Sequence, residues 1–216
     1  MNKIICIHPK DETTDFLNPI GKLFSDDYIV VEPNDSSHSG TIEKINSLEE
    51  GSTVIFLGHG TEHFLFSAED SIYEKKKFID IETSNKIFSR KQLLLISCLS
   101  SNFLNKLNSF NAAIGFGNII SSIKERNEEA ELSTGVYRNI NFDDIQLFNT
   151  SYVNSLIKSL SLFEKGEISF KQLHLYIYFH LNKEINTILL NKKLENRIEI
   201  AKLLFEFRNE MIFKQN

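Results

Sequence analysis

Five short apolar runs in the first half of the chain constrain its fold more than any other feature of the sequence. Several are continuous rather than alternating, as expected for strands buried on both faces of a parallel sheet. The runs are KIICIHP (3–9), DYIVVEP (27–33), STVIFLG (52–58), QLLLISC (92–98) and NAAIGFG (111–117). The segments between them with helical spacing are 15–24, 40–50, 82–88 and 101–110. This alternation predicts an α/β fold with an open, mainly parallel sheet and flanking helices.

Two polar segments interrupt the alternation. Residues 61–80 contain the strand-like pieces HFLF and KFID around a charged middle, which predicts a hairpin or a long loop at the rim of the sheet. Residues 121–141 are charged and show no clear period, which predicts an exposed loop or a partly disordered linker inserted in the domain.

The last third of the chain has helical periodicity. Apolar residues recur at steps of three and four from Asp143 to Gly166, where an aspartate can cap the start and the glycine can follow the end. A second helix follows, and a third is expected over roughly 184–213. We therefore predict one α/β domain over 1–185 and a C-terminal helix over 186–216 that packs on it.

Composition narrows the class of protein. The chain has 216 residues, 41% of them hydrophobic and 25% charged, which is typical of a globular domain. Its net charge of -5 lacks the basic excess expected of a protein that binds nucleic acid directly. No run approaches the roughly 18 apolar residues of a membrane span, and the first run is too short for a signal peptide. With two cysteines and no metal-binding pattern, we expect a cytoplasmic protein with no metal.

Two residues with catalytic chemistry come at the ends of successive runs. His59 lies between Gly58 and Gly60 after the third run, and Cys98 ends the fourth. Chemistry in an open parallel sheet gathers at the carboxyl ends of its strands, and neighbouring strands are about 4.8 Å apart. A cysteine nucleophile needs an imidazole to take its proton, so the pattern predicts a Cys98–His59 dyad.

The surroundings of Cys98 and His59 complete this hypothesis. A helix expected directly after Cys98 would favour the thiolate through its dipole. The backbone amides of Gly60 and Cys98 would form an oxyanion hole. The structural alternatives stay open, because a cysteine ending an apolar strand is usually a core residue and a histidine in a glycine turn is usually structural. His63 has no HExxH pattern around it, which argues against a zinc site.

Three segments, FLGHG (56–60), LISCLSS (95–101) and AAIGFG (112–117), resemble the caspase-like cysteine peptidases, and most closely their bacterial CHAT-type branch. The resemblance covers roughly residues 3–185, with the His-Gly and Ser-Cys pieces as its specific motifs. It implies a caspase-like sandwich and a cysteine endopeptidase in which His59 and Cys98 are catalytic. It also implies a protein substrate and no cofactor.

The same resemblance implies a bacterial effector, as in defence systems, that an activating or sensor protein switches on. Caspase-like enzymes place a selectivity pocket between the first and fourth strand ends. The candidates for binding a basic substrate side chain are therefore Asp11 or Glu12 after the first strand, and the group Glu62, Glu69 and Asp70. The alternative is a catalytically inactive caspase-like domain that acts as a protein-interaction module through its helical C-terminal third.

Overall fold

The computed structural model describes residues 3–132, 137 and 139–216. The strands are β1 (Ile4–Pro9), β2 (Tyr28–Val31), β3 (Thr53–Leu57), β4 (Phe64–Phe66), β5 (Lys77–Asp80), β6 (Gln92–Ile96), β7 (Ala112–Gly115) and β8 (Ile212–Gln215). The α-helices are α1 (Asn18–Gly21), α2 (Asp35–Asn46), α3 (Ile81–Ile87), α4 (Ser100–Asn105), α5 (Ile123–Leu132), α6 (Phe142–Glu164), α7 (Phe170–Leu190) and α8 (Arg197–Asn209). Two 3₁₀ segments, Glu12–Leu17 and Lys22–Asp27, flank α1. None of the described helices is both long and apolar enough to cross a membrane.

The central sheet has six strands in the order β2-β1-β3-β6-β7-β8. The first five strands are parallel, and β8 runs antiparallel to β7. The five apolar runs thus form the five parallel strands, and the predicted α/β fold with an open, mainly parallel sheet is confirmed. The strand order reverses between β1 and β3, because the chain moves outward to β2 and then returns to the other side of β1. A crevice forms at such a reversal, beyond the carboxyl ends of the strands.

Both faces of the sheet are covered, which explains why the central strands are continuously apolar. On one face, Leu57 and Ile96 join a hydrophobic core with side chains of α6, α7 and α8. On the other face, Phe56 and Leu95 pack with side chains of α2, α3 and α4. Every residue of β3 is buried, as expected for a central strand between two helical layers.

The predicted hairpin is confirmed, since β4 and β5 pair antiparallel as a separate two-stranded sheet. The prediction of a loop over 121–141 is wrong for part of this segment, because α5 occupies Ile123–Leu132. Its mixture of charged residues carries almost no apolar stripe, so the sequence shows no period there. Residues 133–136 and 138 of this segment lie outside the described residues.

The C-terminal end differs from the prediction. In place of one helix over 184–213, α7 ends at Leu190, α8 begins at Arg197, and the chain closes with β8. The strand β8 pairs Phe213 with Ile114 of β7 and so completes the edge of the sheet. Residue 185 lies within α7, so the expected boundary falls inside a helix. The apolar spacing continues through 211–213, but unpaired β7 backbone groups favour a strand there.

Candidate functional site

His59 and Cys98 leave the sheet at matched positions on neighbouring strands. The last residue pair between β3 and β6 is Leu57 with Ile96, so each candidate lies two residues beyond it at the carboxyl edge. Both side chains line one cavity of about 20 Å³. A cavity of this size holds about one water molecule. The parallel register therefore brings the two predicted residues to the same small cavity.

The structure requires glycine at each of the two positions around His59 for a different reason. Gly58 has φ +148°, a backbone conformation that side chains with L chirality rarely adopt. A Cβ at Gly60 would lie 2.7 Å from Oγ of Ser97, the residue before Cys98. The first glycine turns the chain away from β3, and the second lets the turn approach the end of β6. The Gly-His-Gly pattern thus sets where His59 lies relative to Cys98.

The imidazole of His59 is held from the loop after β1. Its Nε2 lies 2.7 Å from Thr13 Oγ1 and 3.3 Å from Asp11 Oδ2. The Thr13 hydroxyl donates to Asp11 Oδ1 at 2.6 Å, so it can only accept from His59. Nε2 therefore carries the proton, and Nδ1 of the neutral ring keeps its lone pair. That leaves Nδ1 as the nitrogen that can take a proton from a thiol.

Asp11 lies at the strand-order reversal and anchors this arrangement. Its side chain is 4% exposed, and Lys75 Nζ lies 2.7 Å from its Oδ2. Burial by itself raises the pKa of Asp11, but hydrogen bonds from His59, Lys75 and Thr13 outweigh it and hold the pKa well below its usual range. Asp11 was predicted to bind a basic side chain of the substrate. In the structure it contacts Lys75 of its own chain and the candidate catalytic residue His59.

We expect Thr13→Val to disturb the His59 tautomer. Valine has nearly the same shape as threonine but cannot accept from Nε2, so the ring loses the contact that fixes its proton. The ¹⁵N chemical shifts of the His59 imidazole should indicate an Nε2-protonated ring in the wild type and a mixture of tautomers in the variant. Glu69→Gln is the matched control, because Glu69 pairs with Lys75 but not with His59. Identical spectra for Thr13→Val and the wild type would contradict this role.

Cys98 is partly buried, and it is partly covered by the segment that follows β7, residues 117–122, which we call the covering segment. The thiol donates to the carbonyl of Ile119 at 3.3 Å. Burial raises the pKa of Cys98 to about 12, and the negative charge of Glu125 adds to the shift. The expectation that the thiolate would be favoured is therefore wrong for this conformation. The helix after Cys98, α4, has only six residues and does not offset the desolvation.

The covering segment is held by side chains of α6 and α5 and by the residue directly after α8. Asn149 of α6 donates from Nδ2 to the Ser121 carbonyl at 3.0 Å. Glu125 of α5 accepts from the Ser121 amide at 2.8 Å. Glu210, directly after α8, accepts from the Asn118 amide at 2.9 Å. These contacts hold the carbonyl of Ile119 over the thiol.

The residue that follows each candidate, Leu99 after Cys98 and Gly60 after His59, has an unusual backbone arrangement. Leu99 is left-handed, with φ 55°, which is uncommon for a leucine and costs of order 1–2 kcal/mol. This turn bends the chain sharply between Cys98 and α4. At Gly60, the neighbouring residues His59 and Thr61 make the hydrogen bonds of an isolated antiparallel bridge to Leu65. In such a pair the middle amide points away from the partner strand, so the Gly60 N–H is directed out of the bridge.

Glu62 lies apart from the Cys98–His59 cavity in the described chain. Its side chain is 46% exposed and pairs with Lys106 of the segment after α4 at 2.8 Å. The neighbouring His63 also contacts this lysine, with its Nδ1 3.2 Å from Lys106 Nζ. The role of Glu62 in substrate binding stays a prediction.

The sequence did not predict that Thr13 and Lys75 belong to the site. The Asp-x-Thr spacing at Asp11 indicates a turn, which could have pointed to Thr13. Nothing in the sequence of the hairpin indicates that Lys75 pairs with Asp11.

His8 makes the folding stability of the protein depend on pH. Its buried ring lies 2.8 Å from the Tyr28 hydroxyl and 3.1 Å from Thr14 Oγ1. Burial lowers the pKa of His8 to about 4, and the nearby charge of Asp15 only partly opposes it. The folded state therefore prefers the neutral ring. This contribution to stability is present above pH 6.5 and is lost as the pH falls to about 4.

We expect His8→Gln to flatten the acid limb of the stability profile. Between pH 7 and pH 4 the wild type should lose up to about 3 kcal/mol more unfolding free energy than the variant. Urea unfolding at a series of pH values measures the difference. His63→Gln, in which the replaced side chain is 60% exposed, serves as control and should follow the wild type. Parallel profiles for His8→Gln and the wild type would refute the assignment.

Comparisons with known proteins do not extend this description. No model of a known protein family matches the chain, and no curated protein matches it either. The class that the fold defines is an α/β protein with an open, mainly parallel sheet and a helical C-terminal region. Its site combines a histidine, a cysteine and a buried aspartate at the carboxyl edge of that sheet.

Proposed function

We propose that the chain is a caspase-like cysteine endopeptidase that cleaves a protein substrate. The observation that carries the proposal is the matched position of His59 and Cys98, two residues beyond the last pair of adjacent parallel strands and lining one cavity. The contacts of His59 with Thr13 and Asp11 support the proposal, because a catalytic histidine requires a third group that orients its ring. This reading agrees with the resemblance of the Gly-His-Gly and Ser-Cys segments to caspase-like peptidases.

In this proposal His59 Nδ1 takes the proton of Cys98, and Sγ attacks the carbonyl carbon of the scissile peptide. The resulting imidazolium is stabilised by the ionised Asp11, directly and through Thr13. The amides of Gly60 and Cys98 bind the oxyanion of the tetrahedral intermediate. His59 then returns its proton to the leaving amine, and water hydrolyses the thioester. The chemistry uses no cofactor and no metal.

The proposal requires a change from the conformation described above. A thiol with a pKa of about 12 that donates to Ile119 is a poor nucleophile at neutral pH. Displacement of the covering segment would expose Cys98 and remove the acceptor of its proton. We therefore propose that an activating or sensor protein moves this segment, and that the chain is a cytoplasmic effector, as in bacterial defence systems.

The alternative is an inactive domain of the same fold that acts as a protein-interaction module. The small cavity and the protonated thiol favour it, and so does a row of exposed apolar side chains on α7 that includes Leu175 and Phe179. The two functions differ in what Cys98 can do once it is uncovered. In an interaction module it would react only as an ordinary thiol.

Labelling by a peptidyl acyloxymethyl ketone tests the proposal. This probe alkylates a cysteine when the catalytic geometry is present. We expect slow labelling of Cys98 in the wild type and labelling about tenfold faster in Glu210→Ala, which removes one acceptor of the Asn118 amide and loosens the covering segment. His59→Ala in the same background should remove the gain, because the thiol loses its base. Intact-protein and peptide mass spectrometry locate the adduct.

Glu195→Ala, another exposed acidic residue near α8, is the matched control and should label as slowly as the wild type. A small thiol reagent such as iodoacetamide reports exposure alone. If Glu210→Ala reacts faster with iodoacetamide but not with the peptidyl probe, the peptidase proposal fails and the interaction module is favoured. Equal probe labelling with and without His59 would lead to the same conclusion.

A further inference from the structure

A second, larger cleft adjoins the Cys98–His59 cavity. It has a volume of about 540 Å³ and lies between the first 3₁₀ segment and the start of α6. Phe16 and Ser121 line both the cleft and the small cavity, so these two residues form the wall between them. Thr13, which holds His59, lines the cleft as well. A group bound in this cleft would therefore lie next to the candidate catalytic residues.

The walls of the cleft are largely apolar. Phe16, Ile123, Phe142 and Ile145 line it from three different elements of the chain. Phe142 is 58% exposed at the first position of α6, so much of this large apolar side chain faces solvent or the cleft. Such walls suit the hydrocarbon part of a ligand rather than a compact ion.

Two polar side chains of the cleft offer oxygen atoms that can accept hydrogen bonds from a ligand. Asn149 is 94% buried and donates from Nδ2 to Ser121, yet its Oδ1 has no hydrogen-bond partner among the described residues. A buried acceptor without a donor is unfavourable, so this oxygen marks a place for a ligand N–H. Among the residues that the structure describes, Glu12 is the only charged one that lines the cleft, and no cation there pairs with it. Asp11, one residue earlier, is already paired with Lys75.

We propose that this cleft binds an arginine or lysine side chain of a peptide. The aliphatic stem would pack on the apolar walls, the cationic head would pair with Glu12, and an N–H of the ligand would donate to Asn149 Oδ1. The inference rests on the proposed peptidase function in one respect, namely that the bound side chain belongs to the substrate. Of the acidic residues that the sequence offered for a basic side chain, the proposal selects Glu12 rather than Asp11 or Glu62, and it adds Asn149, which the sequence did not indicate.

Peptide binding to Cys98→Ala protein tests the site without any catalytic step. The probes are the blocked peptides Ala-Ala-Arg-Ala-Ala and its citrulline and norleucine analogues, titrated while amide chemical shifts are followed by NMR. Citrulline keeps the shape of arginine without its charge. We expect the arginine peptide to bind about fivefold tighter than the citrulline peptide, as for an exposed ion pair of about 1 kcal/mol. Shifts should concentrate on residues that line the cleft.

Glu12→Gln should remove the difference between the two peptides, whereas Asp143→Asn should keep it. Asp143 is an exposed carboxylate beside Phe142 that does not line the cleft. Equal binding of the arginine, citrulline and norleucine peptides would overturn the proposal, as would tighter binding of the norleucine peptide, which would indicate a purely apolar site. An arginine preference that depends on Glu12 supports the cleft even if acyloxymethyl ketone labelling fails, so the two proposals can fail separately.

Discussion

Under the proposed peptidase function, we expect Cys98→Ala to reduce peptide cleavage by at least about a thousandfold, because the proposed nucleophile is lost while the fold is kept. The side chain is only partly buried and lies beyond the end of β6, so the sheet does not depend on it. The measurement is the appearance of new protein N-termini in cells that express the wild type or Cys98→Ala, by mass spectrometry. His59→Ala should show a loss of similar size, because the two residues act as one unit.

Cys6→Ala is the matched control for this prediction. It removes the other thiol, which is fully buried in the middle of β1 and whose pKa burial raises well above the ordinary value. Cleavage should stay close to the wild-type level once folding has been verified by circular dichroism. New N-termini that persist in Cys98→Ala would contradict the peptidase proposal. Loss of cleavage in Cys6→Ala at unchanged stability would contradict the assignment of the nucleophile.

Phe207→Ala should produce the largest loss of stability. Phe207 of α8 is 1% exposed and stacks on Phe116 after β7, with ring centroids 4.5 Å apart, and on Tyr152 of α6 at 4.6 Å. The ring therefore joins the last helix to both the sheet and α6. Its removal leaves a cavity that these rigid neighbours cannot fill, at a cost of about 3–5 kcal/mol in unfolding free energy. Urea unfolding measures this change.

Phe205→Ala provides the matched comparison on the same helix. Phe205 is 46% exposed and contacts the guanidinium of Arg208, so its removal should cost less than about 1 kcal/mol. The same two variants also test the C-terminal architecture. If residues after 185 were a loosely attached helix, Phe207→Ala would leave the main unfolding transition unchanged. A single transition at lower urea is expected, because β8 and α8 belong to the same core.

The sequence was sufficient for the parallel strands and for the two candidates at their ends. Continuous apolar runs can be satisfied only by burial on both faces, and the Gly-His-Gly turn after such a run indicates a close approach of backbones. The capping box of Ser169 with Gln172 at the start of α7 was readable too. The cap of α6 was not, because Asn141 takes that position instead of the expected aspartate. The α5 helix was not, because its charged residues have no apolar face and its helical state depends on local contacts such as those of Glu125 with Ser121 and Ser122.

The partners of the candidate residues depended on tertiary structure. Asp11 reads as a free carboxylate in the sequence, and only the strand order places it against His59 while the hairpin delivers Lys75 to it. In the same way, a cysteine before a helix reads as activated, but the covering segment desolvates the thiol and raises its pKa. Local pattern determines which residues stand at the strand ends, because periodicity is a property of neighbouring residues. Burial, charge pairing and proton affinity depend on segments distant in sequence, and only the folded chain brings those together.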